Sequence, residues 1–178
     1  MGAINYGSNN LLIQLGYNLS SKYKLIDCIT EDLKNEHDDL SKDELENKTY
    51  DIWIDIVNDS YDDVNNFLTQ SFKEFNWYDF KIESGYYEGF YISLDFKYLY
   101  IDNWKERSLM HKELTKIKTV FKELINNFGL VSYSPGWVTT FYDTNTSIKM
   151  LNNAVKSARE QINKIPTQSQ FYKNNTKG

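Results

Sequence analysis

The chain predicts a single α+β domain in which a mostly antiparallel sheet of short strands and hairpins carries four or five helices on one face. Three observations predict it: apolar residues recurring every three or four positions along the polar stretches, a switch to period two between Phe80 and Phe96, and connections marked by Gly or Pro. At 178 residues the chain is long enough to bury a real core and too short for two full-sized domains. The expected limits are one globular unit over 1–165 and a flexible polar C-terminal tail over 166–178, opened by Pro166.

The elements follow in order. The run Leu11 to Leu15, between Asn-Asn and Gly16, predicts a buried strand. Leu25, Cys28, Ile29 and Leu33 predict a helix that fades into a polar loop at Lys34 to Asp39. Ser41 and Glu44 have capping-box spacing, and Leu45, Ile52, Trp53, Ile56 and Val57 give the helix behind them an apolar stripe ending near Asn58. Ser60 then caps a further expected helix, with Asp62 and Asp63 in its first turn and Val64, Phe67, Leu68, Phe72 and Phe75 facing inward.

Beyond Asn76, Phe80 and Ile82 alternate with charged residues, and Phe90, Ile92, Leu94 and Phe96 alternate with Tyr91, Ser93, Asp95 and Lys97, which predicts a hairpin. Its connection brackets Tyr86 and Tyr87 with glycines. Met110, Leu114, Ile117, Phe121, Leu124 and Phe128 then predict the strongest helix, with Gly129 as its C-terminal cap. Two short strands, Leu130 to Tyr133 and Val138 to Phe141, are expected on either side of Ser134-Pro135-Gly136-Trp137, whose Pro and Gly specify a type II turn from which Trp137 emerges. A last helix is expected from about Thr146 to Ile162.

Charge is sorted along this order. Asp27 to Asp63 holds fourteen carboxylates against three lysines, and Lys105 to Gly178 holds twelve cations against five carboxylates, so a net charge of −5 conceals two strong opposite fields. Such polarity points to macromolecular binding. The acids Glu36, Asp38, Asp39, Asp43, Glu44, Asp51, Asp55 and Asp59 form a candidate face that imitates nucleic-acid phosphates, set against the plainer reading of a solvated helix surface. Lys112, Lys116, Lys122, Lys156 and Arg159 are the candidate contacts for a nucleic-acid backbone. With only two arginines in this half, bidentate reading of bases is not expected and weak nonspecific DNA affinity is the most this set predicts. Aromatics make up 16% of the chain, and Tyr86, Tyr87 and Trp137 are candidate anchors for a protein partner.

Catalytic signatures are sparse. His37 and His111 belong to no close pair, and Cys28 is the only cysteine, which excludes an internal disulfide and a Cys-based zinc site. Glu36, Asp38, Asp39, Asp43 and Glu44 lack the spacing of a calcium loop, and the Walker, Gly-x-Gly-x-x-Gly and Gly-x-Ser-x-Gly motifs are missing. The expectation is a non-enzymatic protein with no cofactor and no metal; a hydrolase built on an inconspicuous carboxylate pair ranks well below it. No apolar run nears the roughly 20 residues of a membrane span, and no secretory signature opens the chain, so a cytoplasmic location in a bacterial host is expected.

Gly85-Tyr86-Tyr87-Glu88-Gly89-Phe90 and Ser134-Pro135-Gly136-Trp137, with Ile4-Asn5-Tyr6-Gly7-Ser8 and Leu15-Gly16-Tyr17, carry a resemblance that spans nearly the whole chain. The sequence resembles a family of small proteins from Firmicute phages and plasmids that includes an anti-CRISPR inhibitor of the AcrIIA class. Many relatives flank Ser-Pro-Gly-Trp with cysteines, whereas this chain has Ser132-Tyr133 before it and Val138 after it, so any thiol-dependent role there is absent. The resemblance implies a non-catalytic anti-defence protein that binds the type II CRISPR RNA-guided nuclease or its nucleic-acid complex. The alternative is a phage DNA-associated or regulatory protein that uses the Lys-rich C-terminal half.

Overall fold

The computed structural model describes residues 11–16, 19–85, 89–96, 104–134, 136–138 and 140–176. Their order is β1 (Leu11–Gly16), α1 (Leu19–Glu36), α2 (Lys42–Phe72), β2 (Tyr78–Gly85), β3 (Gly89–Phe96), α3 (Trp104–Asn127), β4 (Val131–Ser134), β5 (Thr140–Phe141), α4 (Thr144–Lys164) and α5 (Gln168–Thr176). The α+β class holds, with every strand pair antiparallel. Helices, however, make up most of the described residues, so the sheet expected to carry them is the smaller part of the fold.

The sheet runs β2-β3-β1-β4-β5. Its centre is the three-stranded β2-β3-β1 unit; β4 extends it through only two paired positions, Leu15 with Ser132 and Gly16 with Val131. The expected hairpin forms in register, Gly85 opposite Gly89 and Ile82 opposite Ile92, and Ile92 in turn faces Ile13 of β1. Because side chains alternate along a strand, Ile13 and Leu15, Ile92 and Leu94, and Tyr78, Phe80 and Ile82 share one face of the sheet. These residues join Leu68 and Phe72 of α2, Leu114, Ile117 and Phe121 of α3, and Leu151, Val155 and Ile162 of α4 in one core. Asp79 and Lys81, of the opposite parity, are exposed.

Two elements depart from the expected boundaries. The two helices expected to meet at Asn58 to Ser60 are one helix of 31 residues. Neither Gly nor Pro interrupts it, and the buried positions Thr49, Trp53, Val64, Leu68 and Phe72 keep one helical phase across the join, so the Ser60 capping signal yields to continuous packing. Asp62 and Asp63 are therefore interior residues of a helix, away from its positive end. The stretch expected as a loose tail contains α5, opened by a capping box in which Thr167 Oγ1 accepts from Gln170 N (3.3 Å) and Gln170 Oε1 accepts from Thr167 N (3.1 Å).

Helix ends are specified locally. Ser41 caps α2 reciprocally with Glu44: its hydroxyl accepts from Glu44 N at 3.2 Å, and its own N–H donates to Glu44 Oε2 at 2.8 Å. Asp143 caps α4 by accepting from Thr146 N at 2.6 Å. Gly129 closes α3 with φ +70°, a conformation glycine adopts without steric cost. The turn after β4 differs from expectation. Gly136 does not take the positive φ that a type II turn requires, and Ser134 pairs with Thr140, so the strands are joined by five residues and β5 shrinks to Thr140 and Phe141.

The α3–α4 pair is held by polar clamps between helices. Arg107 Nη1 donates to Ile162 O and Nη2 to Ile165 O at 2.8 Å, placing a cation on carbonyls at the negative end of α4. Arg159 donates to His111 Nδ1 and His111 O, both at 3.2 Å, and to Thr115 Oγ1 at 2.8 Å; His111 Nε2 lies 2.9 Å from Asn163 Oδ1. An arginine only donates, so Nδ1 is the acceptor and Nε2 carries the hydrogen given to Asn163. Glu113, buried on α3, accepts from Asn76 N and, at 3.2 Å, from Trp77 N, tying the α2–β2 connection to the body. Burial first, and the Glu113 charge second, hold the Tyr78 phenol well above its usual pKa.

Candidate functional site

α1 and α2 form an antiparallel helical hairpin, and α1 finds its main packing partner in α2. The C-terminal half of α2 enters the core, while its N-terminal half and α1 make an arm with a small interior of its own: Ile29, Leu33, Thr49 and Trp53 are buried but lie outside the main cluster. Thr30 Oγ1, which donates to Ile26 O at 2.8 Å, meets Thr49 Oγ1 at 3.3 Å across the helix pair.

Fourteen of the 25 carboxylates of the chain lie between Asp27 and Asp63, on α1, the turn and α2. Glu36 ends α1, Asp38 and Asp39 occupy the turn, and Asp43 and Glu44 open α2, so five of the expected contact residues cluster at the tip, all exposed. Asp51, Asp55 and Asp59 follow along α2 at four-residue intervals, also exposed, and rise about 6 Å per step. Such like-charge neighbours cost a few tenths of a kcal/mol each. Glu44 has a second, local task in the cap, and the bonds from Ser41 N–H first and its hydroxyl second hold its carboxyl below the usual range. Among the described residues, no ion pair joins an acid of the arm to a lysine of α3 or α4.

Between α1 and α2 lies an open cleft of about 880 Å³. Ile26, Leu40, Leu45 and Trp53 supply its apolar lining, with Thr30 and Thr49 between them. Tyr50, 60% exposed, stands at the edge. At the lip Lys34 and Lys42 offset Asp38 and Glu46, with His37 beside them. The sequence reading missed this cleft, because it exists only once the two helices are paired; the sole linear hint was Glu46, Tyr50 and Trp53 following one another at one-turn spacing.

The other expected site residues are dispersed. Trp137 is fully exposed (108%) and Val138 nearly so (83%), which sets aside a core role for the tryptophan. They belong to the β4–β5 edge of the sheet, whereas α2 packs beside β2 and β3, so the aromatic turn and the acidic arm are separate surfaces. Tyr86 and Tyr87 lie outside the described residues. Lys112, Lys116, Lys122 and Lys156 are exposed, but Lys112 and Lys116 share one row of α3 while Lys122 lies roughly 100° around the helix from that row. Arg159 is part of the α3–α4 clamp, its guanidinium bonded to His111 and Thr115. Among the described residues no group of three or more His, Cys, Asp or Glu is arranged to hold a metal ion, and no helix is long and apolar enough to cross a membrane. Cys28 is exposed on α1, although it falls within the apolar spacing that predicts the helix.

No family model matches the chain, and neither the curated proteins nor the solved structures include a match.

Proposed function

We propose that this chain is a phage or mobile-element anti-defence protein that binds a type II CRISPR RNA-guided nuclease and blocks target engagement or cleavage. The observation that carries this reading is the isolation of the acid. The carboxylates stand exposed on a helical arm, without ion pairs to the described lysines of α3 or α4, at intervals that suit a channel built to hold polyanions. Identification of the partner rests on the resemblance of the Gly-Tyr-Tyr-Glu-Gly and Ser-Pro-Gly-Trp segments; the arm supplies the physical means. Exposed Trp137 adds an aromatic anchor on a separate edge.

The test is a cleavage assay with purified protein and several type II nucleases loaded with guide. Inhibition near stoichiometric ratios, weakening as salt rises, is expected. Absence of inhibition with every nuclease, together with absence of binding in pull-down, removes the reading. The lysine rows on α3 and α4 favour a second one, backbone contact with DNA, which predicts a gel shift at low salt that disappears at moderate salt.

A further inference from the structure

We propose that the cleft between α1 and α2 is a docking groove for one amphipathic helix of a partner protein, apolar on one face and rich in Lys or Arg on its flanks. The inference deepens the reading of the arm as a contact surface and is independent of which nuclease, if any, the arm meets.

The argument begins with the arm's incomplete packing. A two-helix hairpin buries one stripe of each helix, and α1 has α2 as its main support. Ile29, Leu33 and Trp53 use that stripe. Ile26 on α1 and Leu40, Leu45 and Tyr50 from the turn and α2 lie beside it and line the open cleft instead. The lining runs from Ile26 to His37 on one helix and from Lys42 to Trp53 on the other, about 16 Å in each case, or three helical turns. Those are the dimensions along which a third helix packs against a pair, its residues at i, i+3, i+4 and i+7 entering the groove.

Charge selects the occupant. The lip is close to neutral, since Lys34 and Lys42 are offset by Asp38 and Glu46, but acids flank it: Asp27 and Glu31 follow Ile26 and Thr30 on α1, and Asp43 follows Lys42 on α2, all exposed. Asp51 lies on the far face of α2 and takes no part; with Asp43 beside the lining on that helix and Glu46 at its lip, a helix in the groove meets carboxylates along both sides, which favours basic flanks. A second copy seated by its own arm would bring together two blocks that each hold fourteen carboxylates against three lysines, and is disfavoured.

The experiment uses the full chain and three fluorescein-labelled peptides of about 18 residues, five helical turns each. One has a Leu and Phe face flanked by Lys, one is the same composition scrambled to destroy the face, and one has Glu in place of Lys. Fluorescence anisotropy is expected to show the first binding at least about tenfold tighter than the second, with none of the third bound. Leu45→Ser and Tyr50→Ala are each expected to remove most of that advantage. Tyr50 is exposed, so its variant stays informative even where Leu45→Ser disturbs the arm, and circular dichroism monitors folding of both. Equal binding of the scrambled peptide means attraction by charge alone and overturns the groove, while leaving the acidic arm as a contact surface. Equal binding of the Glu peptide overturns the charge selection. Sedimentation showing a dimer that Tyr50→Ala dissociates makes a second copy the occupant and also overturns the proposal.

Discussion

The acidic arm and the α3–α4 unit are both antiparallel helix pairs, yet they are held together by different means. In α3–α4, two arginines reach across to backbone carbonyls and side chains of the other helix, and the apolar stripes of both helices continue into the core beneath the sheet. In α1–α2, one threonine pair and a small cluster around Trp53 bridge the helices, and an open cleft remains between them. The body clamps its helices with arginines and sends their apolar stripes into one core; the arm keeps carboxylates in water and an apolar cleft open. The difference separates a part packed on several sides from a part with one main packing partner, and the second is expected to open at lower free energy.

The largest expected effect lies in the body. Phe121→Ala should cost about 3–5 kcal/mol in urea denaturation, because a fully buried ring is replaced by a cavity. Trp53→Ala is expected instead to loosen the arm alone, with hydrogen exchange accelerated in α1 and the first half of α2 while α3 and α4 stay protected. Equal loss of protection throughout would break the comparison, since the arm would then unfold only with the rest. Next comes Arg107→Ala, expected to cost about 1.5–3 kcal/mol by thermal or chemical denaturation, because two carbonyls lose charged donors.

Smaller effects are expected on the arm. Replacing Asp51, Asp55 and Asp59 together by Asn should raise stability by a few tenths of a kcal/mol per relieved neighbour, while weakening nuclease inhibition. Improved stability with unchanged inhibition would reduce this ladder to a solvated face. Ser41→Ala should cost about 1 kcal/mol, confined to the start of α2. The pH dependence there has a definite sign. The Glu44 carboxyl is held below its ordinary value when folded, so its contribution is complete above the ordinary carboxylate range and is lost as pH falls through the lowered value. Carboxyl NMR of Glu44 in the native chain and in Ser41→Ala measures the shift directly.

Features with a local cause were legible in the sequence. The β2–β3 hairpin follows from two-residue alternation, the end of α3 from Gly129, the start of α2 from Ser41 and Glu44, and the exposure of Trp137 from its place in a Pro-Gly connection. What depends on distant partners was hidden. Arg107 finds its acceptors 55 and 58 residues away, and Arg159 finds His111 at a separation of 48, so neither clamp leaves a linear trace and a lone basic residue reads as solvated or phosphate-binding. Ser60-x-Asp62-Asp63 has the composition of a helix start, and only the phase shared by Trp53 and Val64 tells that it lies inside one. Of the candidate site, the acidic residues were visible as a charge run; the groove beside them required the two helices to be brought together.

Lys42 to Phe72 is one rod about 46 Å long, seated in the core at one end and reaching into solvent at the other. Anything gripping the far end therefore holds a lever whose fulcrum is Val64, Leu68 and Phe72. Torque applied there is transmitted to the strands through a stiff shaft, so the carboxylates are carried at a fixed bearing relative to the sheet.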